Sequence, residues 1–449
     1  MAKHTRSSGK PLKPSGKLPK PSGKPSKSSG KPPKSPGNAS GNLPPDDMPV
    51  GGPQFGEVQP DGSDPTSNKI KHGSDTALYN KLNKHLLQPI PAPLRPDDLV
   101  LTLEKVYGAG GAAKVAGIKK NQQIVFHSGG DTGPTKGPQT VEQVADKLTN
   151  DFSNETAAET PSFFFHLGDV VYSFGEAMYY YDQFYEPFRN YPAPILAIPG
   201  NHDGLVYTGD AAPSLDAFLR NFVNTDFVIT PEAGGLRRTA MIQPGVYFAL
   251  DAPFVTLIGL YSNVLEDPGV ISAQNGKFPT LGNEQLDFLT AQLQRVKNSG
   301  NAVLVAVHHP PYSGGSVHGG SPDMLADLDS CCGKAGFWPH AFLSGHAHNY
   351  QRFTRNPPNT KYDIPYIVAG NSGHGLSPIK STTAGPLRTP VKVSDELLFE
   401  NYDDKNYGYL RIIADAHQIR IEYHDANPAQ KSYSDAVTVD LKTHTMIAN

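Results

Sequence analysis

The run SFFFHLGDVVY, residues 162–172, decides how this chain is read. Its first six residues do not alternate between apolar and polar, so 162–167 reads as a short strand buried on both faces. Gly168 ends the strand, and a carboxylate and a phenol, Asp169 and Tyr172, follow at once. The pattern recurs along the chain. The run 123–127 leads to GDTG (130–133) with Asp131, and 194–198 leads to GNHD (200–203) with Asn201, His202 and Asp203. The run 302–307 delivers His308 and His309, and 340–343 leads to GHAHNY (345–350) with His346 and His348.

Residues 253–260 and 364–369 are further buried-strand candidates, and amphipathic helices are expected over 141–148, 177–189, 214–223 and 283–296. Strands alternating with helices argue for an α/β sandwich rather than an all-β domain. The segments 407–414, 418–424 and 436–441 are strand-like with no helix between them, and suggest an antiparallel edge closing one sheet. The carboxyl ends of strands in an open α/β sheet share one crevice. The polar residues spread over 131–348 would therefore converge in space.

Two aspartates, an asparagine, three histidines and a tyrosine form a mixed oxygen and nitrogen donor set without cysteine. Such a set suits two neighbouring divalent or trivalent first-row metals better than a structural zinc site. A lone Gly-Asp would be a common turn; five such motifs in order are not explained by turn formation.

The ordered motifs D-x-G, G-D-x-x-Y, G-N-H-D, V-x-x-H and G-H-x-H resemble those of the calcineurin-like metallophosphoesterase superfamily, and within it the purple acid phosphatase branch. The resemblance covers roughly residues 120–445. It implies a four-layer α/β/β/α sandwich of two mixed sheets flanked by helices. It assigns Asp131, Tyr172 and His348 to a first metal, Asp169 to a bridging position, and Asn201, His308 and His346 to a second metal. The wider superfamily usually has a histidine where this chain has Gly133 and lacks a tyrosine where this chain has Tyr172. Phenolate is a hard anionic donor, so Tyr172 implies Fe(III) at the first site with Fe(II), Zn(II) or Mn(II) at the second. A dimanganese pair is the expectation if Tyr172 only packs beneath the site.

The resemblance implies an acid phosphatase-like phosphoesterase, expected to hydrolyse phosphate monoesters by attack of a metal-bound hydroxide. His202, with Asp203 as the group that orients its ring, is the first candidate for general acid or transition-state stabiliser. His318, in the glycine-rich loop 313–320, either faces substrate or sits on the surface; His309 either faces the phosphate or supports the turn before Pro310. His127 and His166 are expected in the core, and His374, which follows another strand, is a candidate for the pocket rim. One alternative is a phosphodiesterase or nucleotide pyrophosphatase on the same metal site. Another is a polyanion-binding protein with an inert phosphoesterase domain.

The polyanion alternative arises from the N-terminus, where residues 1–37 carry nine Lys and one Arg and no acid. Ser-Gly-Lys recurs at Ser8, Ser15, Ser22 and Ser29 among prolines, a seven-residue spacing with no apolar seam for a coiled coil. Residues 1–74 are therefore expected to be a disordered tail and linker, with the catalytic domain at 75–449. The remaining chain has 30 basic against 43 acidic residues, so a basic arm precedes an acidic body. The two cysteines, Cys331 and Cys332, are neighbours and provide no disulfide framework. No apolar run approaches the roughly 20 residues of a membrane helix. The start has no apolar signal-peptide core, which points to the cytoplasm, with export by another route left open.

Overall fold

The computed structural model describes residues 52–56, 87–153, 156–206, 213–383 and 385–447. The basic repeat and the expected boundary near residue 75 lie outside the described residues. In chain order the strands are β1 (Val100–Thr102), β2 (Ile124–Gly129), β3 (Phe164–His166), β4 (Ile195–Ala197), β5 (Phe248–Ala252), β6 (Val255–Leu260), β7 (Ala302–Val307) and β8 (Ala341–Ser344). They continue with β9 (Tyr350–Arg355), β10 (Ile364–Ala369), β11 (Val391–Lys392), β12 (Leu397–Asp403), β13 (Gly408–Ala414), β14 (Gln418–Asp425), β15 (Asp435–Asp440) and β16 (Met446–Ile447).

These strands form two mixed sheets. The first runs β1-β5-β6-β7-β8-β10-β9-β12-β11, and the second runs β16-β15-β14-β13-β2-β3-β4. The largely apolar β6 and β7 are buried at every position and pair in parallel within the first sheet. In the second sheet β2, β3 and β4 are parallel, while β13 to β16 add the expected antiparallel edge. The sheets stack face to face. A side chain at Gly259 of β6 would come within 2.6 Å of Ile198 and 3.3 Å of Phe165 on the other sheet, so only glycine fits there.

Helices cover the outer faces. Gln139–Asn150 buries Val141, Val144, Ala145 and Leu148, the i, i+3, i+4, i+7 stripe read from the sequence, against the second sheet. Glu284–Val296 packs on β6 and against the helix Pro322–Ala335, in which Cys331 and Cys332 are buried free thiols. The expected helix over 177–189 is not regular: a 3-10 turn, Ala177–Tyr179, leads into a wider π-helical turn, Tyr181–Tyr185. Among the described residues, no helix is long and apolar enough to cross a membrane.

Part of the expected linker lies on the fold. Gln54 exchanges backbone and hydroxyl hydrogen bonds with Thr239 at 3.0 and 2.9 Å, and Phe55 meets Tyr107 edge-on at 5.2 Å. At Gly56 a side chain would strike the Arg189 carbonyl and, at 2.6 Å, the Arg238 guanidinium. Packed chain therefore occurs N-terminal to residue 75, because this short segment covers a buried arginine that glycine alone can approach.

Candidate metal centre

Five of the strands, β2, β3, β4, β7 and β8, end at one place. Asp131, Asp169 and His346 adopt φ of 59°, 54° and 65°, a left-handed conformation rare for non-glycine residues and costing roughly 1–3 kcal/mol each. Each follows a glycine, and the sharp turn aims its side chain back over the strand ends. Asp131 is fixed by its own N–H to Gly168 O (2.9 Å) and by Oδ2, which accepts from His346 N–H (2.8 Å).

The first donor set is Asp131, Tyr172 and His348. Tyr172 OH lies 3.1 Å from Asp131 Oδ1, 2.9 Å from Asp169 Oδ2 and 3.3 Å from His348 Nε2. His348 Nδ1 donates to Gly375 O (3.0 Å), so in the neutral ring Nε2 is an acceptor, and it faces Asp131 Oδ1 at 3.5 Å. The second set repeats this logic. His308 Nδ1 donates to Leu167 O (2.8 Å), leaving Nε2 as an acceptor 3.1 Å from Asn201 Oδ1 and 3.2 Å from Asp169 Oδ2. His346 Nδ1 is 3.1 Å from the same Asn201 Oδ1.

Seven oxygen and nitrogen donors thus converge in two adjoining places with Asp169 reaching both, and all these side chains are buried or nearly so. Such an arrangement is expensive without cations and favourable with them, so the residues fit a two-metal centre. Asp169, His308 and His346 alone bring three ligand atoms within 4.8 Å of one another.

The electrostatics without metal reflect that conflict. Burial, with the charge of Asp169, pushes the Asp131 carboxyl well above the usual range. Burial also acts to raise Asp169, but the His308 and His202 charges outweigh it and hold this carboxylate well below the usual range. Burial would lower His308, yet Asp169 and Asp131 raise it to about 9. Burial and neighbouring imidazoles push His346 and His348 well down, and burial with the two aspartates pushes Tyr172 well up.

Other expected residues divide. His202 is held by Nδ1 donating to Ser173 O (2.9 Å), with its ring 4.2 Å from that of Tyr172. Asp203 does not orient it: its carboxylate accepts from the N–H groups of Val170, Val171 and Gly200 at 3.0, 3.2 and 2.8 Å, pinning the Asp169 turn to the Asn201 turn. His318 is buried, its ring 4.2 Å from His346 and 5.2 Å from His348. His309 has both nitrogens engaged, with Ser262 Oγ at 2.7 Å and Leu265 O at 2.5 Å, and supports the loop instead of facing outward. His374 stacks on Tyr172 at 3.8 Å and hydrogen-bonds Gly133 O at 2.8 Å. His127 bonds Tyr191 and Asp151 in the core, and His166 bonds Thr132 beneath the site.

Two carboxylates at the site were not singled out from the sequence. Glu266 Oε2 accepts from Asn201 Nδ2 at 3.3 Å, and Asp267 Oδ1 lies 3.6 Å from His346 Nε2. The available signal was position: they follow the end of β6, a sixth strand terminus at the same crevice.

Residues 130–350 match the family model described as calcineurin-like phosphoesterase, and this part of the chain belongs to the metallophosphoesterase superfamily. Among solved structures the chain is similar to the purple acid phosphatase PPD1 from yellow lupin (Lupinus luteus) seeds, at 18% identity over 71% of this chain and 54% of that one, TM-score 0.49. It is also similar to GAP50, the anchor in the inner membrane complex of Plasmodium, at 14% identity over 72% and 91% of the two chains, TM-score 0.48. A dimetal phosphatase from Danio rerio follows at 11% identity, covering 71% of this chain and 99% of that one, TM-score 0.40. The chain thus spans about half the length of the lupin phosphatase, 54%. A search of curated proteins finds no match.

Proposed function

We propose that the chain is a dinuclear-metal phosphoesterase of acid phosphatase type, acting on phosphate monoesters. One observation carries the reading: Asp169 Oδ2 is 2.9 Å from Tyr172 OH in the first donor set and 3.2 Å from His308 Nε2 in the second, as a bridging carboxylate must be. Asp131, Tyr172 and His348 would hold one cation, with Fe(III) favoured by the phenolate. Asn201, His308 and His346 would hold Fe(II), Zn(II) or Mn(II). Bound there, the pair supplies the positive charge that neutralises a phosphate ester and acidifies a water.

The protein's own residues complete the chemistry. Ser173 O fixes His202 with its proton on Nδ1, so Nε2 is the atom that would carry a second proton toward the leaving oxygen. His318, whose ring lies 4.2 Å from that of His346 and 5.2 Å from that of His348, would contact a phosphate oxygen. The convergence of seven competent donors favours the enzyme over an inert phosphoesterase domain. The metal-reconstituted protein should turn over an aryl phosphate monoester faster than the bis-aryl diester, and His202→Ala should cut kcat by roughly 10²–10⁴ with two metals retained. Faster turnover of the diester would move the assignment to the phosphodiesterase alternative.

Residues 1–37 would act separately, as an electrostatic arm for polyanions. Removing residues 1–44 should leave aryl phosphate turnover intact and abolish any polyphosphate binding that weakens steeply with salt.

A further inference from the structure

The loop after β6 brings two adjacent carboxylates to the ligands of one cation. Glu266 Oε2 accepts from Asn201 Nδ2 at 3.3 Å, which fixes the amide so that Oδ1 is the atom presented to His308 Nε2 and His346 Nδ1, each 3.1 Å away. With Nδ1 turned inward, His346 directs Nε2 outward. That nitrogen is buried without a hydrogen-bond partner, and Asp267 Oδ1 at 3.6 Å is the carboxylate it faces. Asp267 is in turn held by the Gly319 backbone and the charge of Lys380. The corresponding outer nitrogen in the first donor set, His348 Nδ1, is held by a neutral carbonyl, Gly375 O, at 3.0 Å.

We propose that Glu266 and Asp267 are positioning residues that align Asn201 and His346 on the second cation and set its affinity separately from that of the first. The inference rests on the metal-centre reading above. Imidazole ligands commonly donate their outer N–H to a carboxylate, and removing such partners typically weakens metal binding by roughly 10–100-fold. Here one ligand is braced by Glu266 and its neighbour by Asp267. Closing the 3.6 Å gap as Nε2 becomes the protonated nitrogen would make the second contact a hydrogen bond. The side chains of Glu266 and Asp267 are 27% and 41% exposed, so replacing them opens no core.

The test uses full-length protein, wild type against Glu266→Ala/Asp267→Ala, loaded with Zn(II) or Mn(II) and equilibrated against a graded chelator. Elemental analysis should report two metals per wild-type chain. In the variant the weaker-bound metal should dissociate at roughly 10–100-fold lower chelator strength, with the tighter metal and the metal-free Tm unchanged. Glu266→Gln/Asp267→Asn keeps the acceptors and removes the charge, and should fall between the two. Wild-type affinity at both sites in the double alanine variant, or equal weakening of both, would overturn the inference while leaving the metal centre standing. A wild type that holds no second cation would overturn the metal-centre reading and this inference with it.

Discussion

The side-chain amide of Gln183 closes a two-bond ring with the backbone of Tyr172: Oε1 accepts from its N–H at 2.8 Å and Nε2 donates to its carbonyl at 2.9 Å. Both groups are buried, and Gln183 comes from the π-helical turn Tyr181–Tyr185. A wide turn at this point lets the glutamine reach a loop that has no ladder partner of its own. Gln183→Leu leaves a buried N–H and C=O unsatisfied and should lower unfolding stability by about 2–4 kcal/mol in urea denaturation. It should also loosen the Tyr172 ring and weaken the first metal before the second.

How far the sequence reveals this site depends on the kind of force that builds each part. Strand ends such as those before Asp131, Asp169 and His346 were legible, because short apolar runs have one buried solution and a glycine marks where they stop. The irregular turn at 181–185 was not. Its aromatic spacing suits a helix, and only the distant hydrogen bonds of Gln183 decide otherwise. Proximity in sequence also misled: Asp203 follows His202, yet its carboxylate bonds the backbone of Val170, Val171 and Gly200. Glu266 and Asp267 were hidden because a loop's path is set by tertiary contacts such as Ser262 with His309, which no local pattern encodes.

Gly133 stands where the wider superfamily is expected to have a histidine, and the structure accounts for the exchange. A Cβ at Gly133 would come within 2.8 Å of the Tyr172 ring and strike Gln183 Oε1. The phenol and its brace occupy the space the imidazole would need. Gly133→Ala should therefore displace Tyr172 and reduce first-site metal retention against a chelator by roughly tenfold or more. Unchanged retention would mean that the ring has room to shift.

A buried histidine distant from the site should govern part of the acid stability. Burial lowers His340 from 6.5 to about 4, with the ring accepting from Val303 N–H (2.9 Å) and donating to Leu441 O (3.1 Å). His444, lowered to about 3 by burial and by His340, stacks on it at 4.2 Å. The folded protein keeps these rings neutral while the unfolded chain takes up protons below pH 6.5. Stability is thus full above about pH 6.5 and is lost as pH falls toward about 4, on the order of 3 kcal/mol from His340 alone. His340→Asn retains an acceptor for Val303 and should flatten that part of the curve, measured as the difference in urea midpoint between the metal-free variant and wild type.

The central claim, a two-metal phosphoesterase centre with Tyr172 on the first metal, is tested most directly by elemental analysis combined with the visible absorption spectrum. A phenolate on Fe(III) produces a ligand-to-metal charge-transfer band. The oxidised wild type should be coloured and contain iron plus a second metal, and Tyr172→Phe should be bleached with reduced iron and an intact fold. A colourless wild type holding two manganese ions, with Tyr172→Phe fully active, would contradict the role of Tyr172. A wild type that binds no metal at all would contradict the centre itself.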